Sequence, residues 1–173
     1  MLKFPELQQD FDYDCGPKAL QAVFSYYGLE AKAEQIRKKA GTTKQDGTLV
    51  EGMVKAIRGY GLKCISKLMT PEMVKDFIRR KIPVILLLQA WREKKVDWSK
   101  DWSDGHYVVA IGYDKNKFYF EDPWTTKRTF LTIAELKTRW HDKDRKGNKY
   151  INQGIAIYGR KPVFDDNKAV HMD

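Results

Sequence analysis

Residues 9–28 read QDFDYDCGPKALQAVFSYYG, and the single cysteine near their centre organises the fold. Cys15 stands between Asp14 and Gly16, directly ahead of Ala19, Leu20, Ala22, Val23, Phe24 and Tyr27. Their roughly helical spacing predicts an amphipathic helix that Gly28 closes. A thiol is thereby placed at a helix N-terminus, where unpaired N–H groups and the macrodipole favour the nucleophilic thiolate. Taken alone, such a cysteine is more often a packed core residue than a nucleophile. Its meaning depends on what the rest of the chain brings to it.

Outward from this helix, residues 1–14 read as extended, with Pro5 disfavouring a helix and Phe4, Leu7 and Phe11 free to pack. A basic helix is expected over 31–40, stopped by Gly41, and a turn at Asp46-Gly47. Thr48 and Glu51 form a capping-box pattern ahead of Val50, Met53, Val54 and Ile57, which predicts a helix to about residue 59. Leu62 to Leu68 alternates with lysines and reads as an edge strand in which Cys64 is half buried. Thr70 and Pro71 open a helix carrying Met73, Val74, Phe77 and Ile78, and the apolar run 84–88 is a central strand. The second half is mostly β. Residues 105–114 and 117–122 form a hairpin, Thr132 and Glu135 cap a helix, the charged stretch after His141 reads as a surface loop, and 154–158 is a last strand.

At 173 residues, 42% hydrophobic, the chain can bury one substantial core without disulfides. One α+β domain over 1–162 is expected, with a polar tail at 163–173 whose composition is compatible with disorder. The run Ile82 to Ala90 is too short to span a bilayer, and MLKFPELQQD has no apolar signal region, so a cytoplasmic address follows by default. In that setting Cys15 and Cys64 are read as reduced, a Cys15–Cys64 bridge being the alternative. The net charge of +9 would assist an encounter with nucleic acid or an acidic substrate. No nucleic-acid-binding motif accompanies the charge, so it reads as solvated surface and nucleic acid is not the expected partner. Two cysteines and three histidines without short ligand spacings point to no metal, and no cofactor is expected. Oligomeric state stays open.

Nucleophilic thiol catalysis needs a base, a group to orient it and donors for the oxyanion. His106 follows Gly105 at the mouth of the hairpin, and Asp122 stands at the end of the returning strand before Pro123, so the two reach the same sheet edge. A plain two-residue turn at Lys115-Asn116 would nevertheless face Asp122 away from His106; another turn length or a bulge is required. For the oxyanion, Gln9 could loop back to join the Cys15 N–H, with Gln8 as rival. Residues 89–104 break every periodic pattern and read as a loop holding Trp91, Trp98 and Trp102. These tryptophans either contact a ligand or cap their own loop. Together with Asp14 and Gly105, which flank the cysteine and the histidine, they are the candidate substrate contacts.

QDFDYDCGPKALQAVFSYYG resembles the first motif of the C39 peptidases, papain-like cysteine proteases with a Gln at this distance before Asp-Cys-Gly. GHYVVAIGYDKNKFYFEDP, residues 105–123, resembles their second and third motifs, and KIPVILLL ahead of the histidine is similar as well. The similarity covers most of the stretch from Leu7 to Trp140. It implies a papain-like α+β fold: a helical part led by the cysteine helix, packed on an antiparallel sheet. It also implies Cys15 as nucleophile, His106 as base and general acid, Asp122 as the orienting carboxylate and Gln9 as oxyanion donor. Many C39 domains are fused to ABC transporters and cut leader peptides after a Gly-Gly pair. This chain shows neither membrane segments nor an ATPase, and its Trp-rich loop is longer than the family usually carries. The expected function is hydrolysis of a peptide or protein substrate. A silent papain-like docking module, or a thiol acyl-transfer enzyme of the same fold, is the alternative.

Overall fold

The computed structural model describes residues 1–169 and 171–172. In chain order the elements are α1 (Cys15–Tyr26), α2 (Ala33–Ala40), α3 (Val50–Gly59), β1 (Lys63–Leu68), α4 (Pro71–Arg79), β2 (Val84–Gln89), β3 (Gly105–Tyr113), β4 (Lys117–Glu121), β5 (Thr129–Thr132), α5 (Ile133–Arg139), β6 (His141–Lys143), β7 (Lys149–Ile151) and β8 (Gln153–Tyr158). Six strands form one sheet in the order β1-β8-β2-β3-β4-β5, every neighbouring pair antiparallel, and β6 pairs with β7 apart from it. Among the described residues no helix is long and apolar enough to cross a membrane.

Strand alternation divides the core in two. Ile85, Leu87, Tyr107, Val109, Ile111, Ile155 and Ile157 face the first three helices and pack with Leu20, Val23, Phe24, Ile36, Met53 and Ile57. The alternate residues Val84, Leu86, Leu88, Val108, Ala110, Phe118, Phe120 and Ala156 face α4 and α5, meeting Val74, Phe77, Leu136 and Trp140. Both faces of β2 are therefore buried, which is why its sequence is continuously apolar rather than alternating. The expected edge strand is found at one margin as β1, and Gly41 closes α2 in the left-handed conformation at φ 67°.

Two helix starts follow their capping residues and one does not. The Thr70 hydroxyl accepts from the Met73 N–H at 3.3 Å, and Thr132 and Glu135 form both halves of a capping box. The box expected from Thr48 and Glu51 is absent, because α3 begins at Val50 with Leu49 at its cap. Glu51 thus falls at the second helical position rather than the third. Thr48 shares a hydrogen bond with the Thr42 hydroxyl at 2.8 Å instead.

The hairpin resolves the problem of facing. Asp114 N–H donates to the Lys117 carbonyl at 3.0 Å, so the turn has the two residues Lys115 and Asn116. Tyr113 pairs with Phe118 and Gly112 with Tyr119, but Ala110 pairs with Phe120, leaving Ile111 as an extra residue in β3. Without this bulge Glu121, not Asp122, would share the His106 face. With it, His106, Val108, Phe120 and Asp122 lie on one side.

Two stretches differ from expectation. β5 was not legible in a sequence window read for its helix cap, and the charged stretch after His141 is the β6–β7 hairpin rather than a loop. Its turn is fastened by the Asp144 carboxylate, which accepts from Asn148 N–H and Nδ2 at 2.9 and 2.8 Å. Beyond residue 162, the Val163 and Phe164 N–H groups reach the Tyr26 carbonyl at 3.1 and 3.3 Å, and Phe164 packs on the core. Residues 170 and 173 of the expected tail lie outside the described residues.

Candidate active site

Cys15 is the first residue of α1, half buried and a free thiol, as is Cys64. Asp14 occupies the N-cap, yet its side chain makes no capping bond. The fully buried carboxylate turns instead to Arg37, whose guanidinium lies 2.7 Å from Oδ2. The first-turn N–H groups of a helix have no intrahelical partner, so those beside Cys15 stay available to an incoming oxygen. Burial pushes the Asp14 carboxyl above its ordinary range despite Arg37. Asp14 therefore faces an ion-pair partner within the fold.

His106 and Asp122 meet at the end of β3. The imidazole Nε2 lies 2.7 Å from Asp122 Oδ1, with both side chains nearly fully buried. Burial works against the imidazolium. Its hydrogen-bond and charge interactions with Asp122 and Cys15 outweigh it and raise His106 to about 9. Since Nε2 is taken by Asp122, Nδ1 is the nitrogen left to meet the thiol. Burial alone would raise Asp122. Its bond and charge pairing with His106, the Trp124 N–H and the Thr129 hydroxyl hold it below the ordinary carboxylate value. Asp122 Oδ1 also accepts from Trp124 N–H at 3.0 Å, and Oδ2 from Trp91 Nε1 at 3.0 Å and Thr129 Oγ1 at 3.1 Å.

Gln9 is carried on a segment fastened to the aspartate side of the site. Its N–H donates to the Pro123 carbonyl at 2.7 Å, Leu7 N–H donates to the Glu121 carboxylate at 2.6 Å, and Arg128 bridges Glu121 to the Phe4 and Pro5 carbonyls. The Gln9 side-chain amide donates to the Phe11 carbonyl at 2.9 Å. The rival Gln8 is exposed and donates to the Trp124 carbonyl at 3.3 Å.

The three tryptophans separate. Trp91 alone reaches Asp122. Trp98 lies under the Arg139 guanidinium at 4.3 Å, and Trp102 packs on the buried His141 ring at 4.5 Å while bordering the outer part of the Cys15 cleft. The inner cleft, about 90 Å³, has Gly47 and Thr48 on one wall and Gly105, Tyr107 and Asp142 on the other. Gly105 is required there, because a Cβ would stand 2.3 Å from Asp142 Oδ2. Burial pushes Asp142 up to about 6 against the Lys143 N–H and the Gln89 amide, which donates to it at 2.9 Å. Sequence reasoning missed Asp142, Thr129 and Trp124. Only Trp124, two residues after the aspartate, carried a local signal, as an Asx-type donor.

Among the described residues no group of three or more His, Cys, Asp or Glu side chains could hold a metal ion. What the arrangement offers is a thiol, an imidazole held toward its protonated form, a carboxylate behind it and helix N–H groups without an intrahelical partner.

Residues 3–143 match the peptidase C39 family. The lactococcin transport/processing ATP-binding protein LcnC-like of Lactococcus lactis subsp. lactis is 29% identical over 130 residues, covering 75% of this chain and 16% of that protein. The chain thus spans about a sixth of the length of the curated relatives it matches. In three dimensions it resembles the peptidase domain of Streptococcus ComA, a bi-functional ABC transporter involved in a quorum-sensing pathway. That match has a TM-score of 0.68 and 22% identity, covering 89% of this chain and 97% of that one. A double glycine motif protease from an AMS/PCAT transporter, solved in complex with its leader peptide, matches at a TM-score of 0.65 with 22% identity, covering 93% of each chain. The antiparallel sheet and its cysteine-led helices have the papain-like fold of these domains.

Proposed function

Because the chain belongs to the peptidase C39 family, we propose that it hydrolyses a peptide bond with Cys15 as nucleophile, His106 as proton carrier and Asp122 as the carboxylate that orients it. The observation that carries this reading is the buried His106–Asp122 contact of 2.7 Å, and the contribution of Cys15 to the raised His106 supports it. The Cys15 thiolate adds to the scissile carbonyl carbon, and the oxyanion takes the Cys15 N–H and an amide N–H of Gln9, once that side chain leaves Phe11. The imidazolium gives its proton to the leaving nitrogen as the C–N bond breaks. Water, deprotonated by His106, then attacks the thioester and the C–S bond opens to a carboxylic acid and the thiol.

The narrow cleft supports a peptide main chain with small side chains at the scissile position, in keeping with the double-glycine protease that the chain resembles. Two free cysteines support a reducing, cytoplasmic setting. The test is hydrolysis of peptides carrying Gly-Gly, Ala-Ala or Leu-Leu ahead of the scissile bond by the wild-type chain and by Cys15→Ala. Turnover of the Gly-Gly peptide by the wild type alone is expected. Equal turnover in folded Cys15→Ala would sink the assignment, and binding without turnover by the wild type would make the domain a docking module.

A further inference from the structure

The two oxygens of Asp122 have separate partners. Oδ1 serves His106 and the Trp124 N–H, whereas Oδ2 takes the Trp91 indole N–H at 3.0 Å and the Thr129 hydroxyl at 3.1 Å. The terminal torsion of an aspartate is broad, so contacts on Oδ1 alone leave the carboxylate plane free to swing. Donors on Oδ2 from β5 and from the loop after β2 close that freedom.

Trp91 holds an uncommon backbone conformation to make its contact. Its φ is +60°, in the left-handed region where a bulky side chain is an outlier that the surroundings must over-determine. Those surroundings are specific. The Ala90 N–H donates to the Asp104 carbonyl at 3.1 Å and Arg92 Nε lies 2.6 Å from the Asp104 carboxylate, tying the neck of the loop. The indole stacks on Trp124 with centroids 6.1 Å apart and planes 25° from parallel. Both tryptophans thus converge on one carboxylate, each with an N–H.

We propose that Trp91 is a positioning residue: its indole N–H, backed by Thr129, fixes the plane of Asp122 so that Oδ1 meets His106 in line. This rests on the peptidase reading for its effect on catalysis, but the alignment itself is independent of turnover.

Trp91→Phe keeps a stacking ring and removes only the donor, and Thr129→Val removes the other. In a Cys15→Ala background, which cannot turn over, the downfield proton resonance of the His106–Asp122 hydrogen bond is expected to exchange faster in Trp91→Phe and to vanish in the double variant. In the intact site kcat is expected to fall about tenfold in Trp91→Phe with KM unchanged, the scale of one charge-assisted bond. A resonance unaltered in both variants overturns the proposal. So does a rise in KM with kcat and the resonance untouched, which would make Trp91 a substrate contact. If the wild type cleaves no peptide, the resonance still decides, so failure of the peptidase reading and failure of the alignment are distinguishable.

Discussion

The His106–Asp122 pair should make the stability of the fold depend on pH in one direction. His106 is raised from 6.5 to about 9 in the folded state. At ~1.4 kcal/mol per pKa unit, this corresponds to about 3 kcal/mol for a fully buried group. A raised value means that the folded state holds the proton more tightly than the unfolded chain. The contribution is therefore complete below pH 6.5, declines as pH rises toward 9 and is gone above that. Asp122, held low, contributes in full above the unfolded carboxylate value of 3.8 and loses that contribution as pH falls through its own lower value. Urea unfolding of the wild type and of His106→Gln between pH 5 and pH 10 reports on the histidine and the groups it touches, since titrating groups away from the site cancel in the difference. The wild-type advantage should shrink by about 3 kcal/mol between pH 6 and pH 10. A difference that is flat, or that grows with pH, would refute the reasoning, because the imidazole would then be neutral in the fold at neutral pH. Cys15→Ala should lower the histidine's titration midpoint, as the interactions with Cys15 are among those that raise it.

Alkylation of Cys15 by iodoacetamide at pH 6 should be several-fold slower in His106→Ala than in the wild type, roughly tenfold if one imidazolium contact is lost; equal rates measured by mass spectrometry would remove the pairing. Gly105→Ala should destabilise by about 1–3 kcal/mol in thermal unfolding, because its Cβ would collide with the Asp142 carboxylate. Adding Asp142→Ala should recover most of that loss, and no recovery would place the strain elsewhere.

Much of this arrangement was legible in residue types alone. Cys15 precedes a periodic run, His106 and Asp122 close the two ends of an apolar hairpin, and Thr70 and Thr132 announce their helices because capping is a local interaction. What escaped was set by partners distant in sequence. Thr48 was drawn from its cap by Thr42 through a partly buried hydroxyl pair, and Asp14 from its own helix by Arg37. The β6–β7 hairpin hid among charges because its paired strands are three residues each, too short for alternation to emerge. Thr129 carries no signal of its own. It becomes a donor to Asp122 only once β5 has paired with β4.

The unpaired Ile111 turns the catalytic hairpin into a matter of counting. In a hairpin with a two-residue turn and flush strands, residues sharing a face across it are separated by an odd number of positions. His106 and Asp122 are separated by 16, an even interval. A chain that keeps this interval and a two-residue turn must therefore carry one bulge between them, whereas a three-residue turn keeps the same even interval with histidine and aspartate on one face and no bulge. A single insertion or deletion between His106 and Asp122 keeps the pair on one face only where a bulge or a turn residue is lost or gained with it, whereas two together leave bulge and turn as they are. With its bulge and two-residue turn both kept, the length of this hairpin should drift in steps of two.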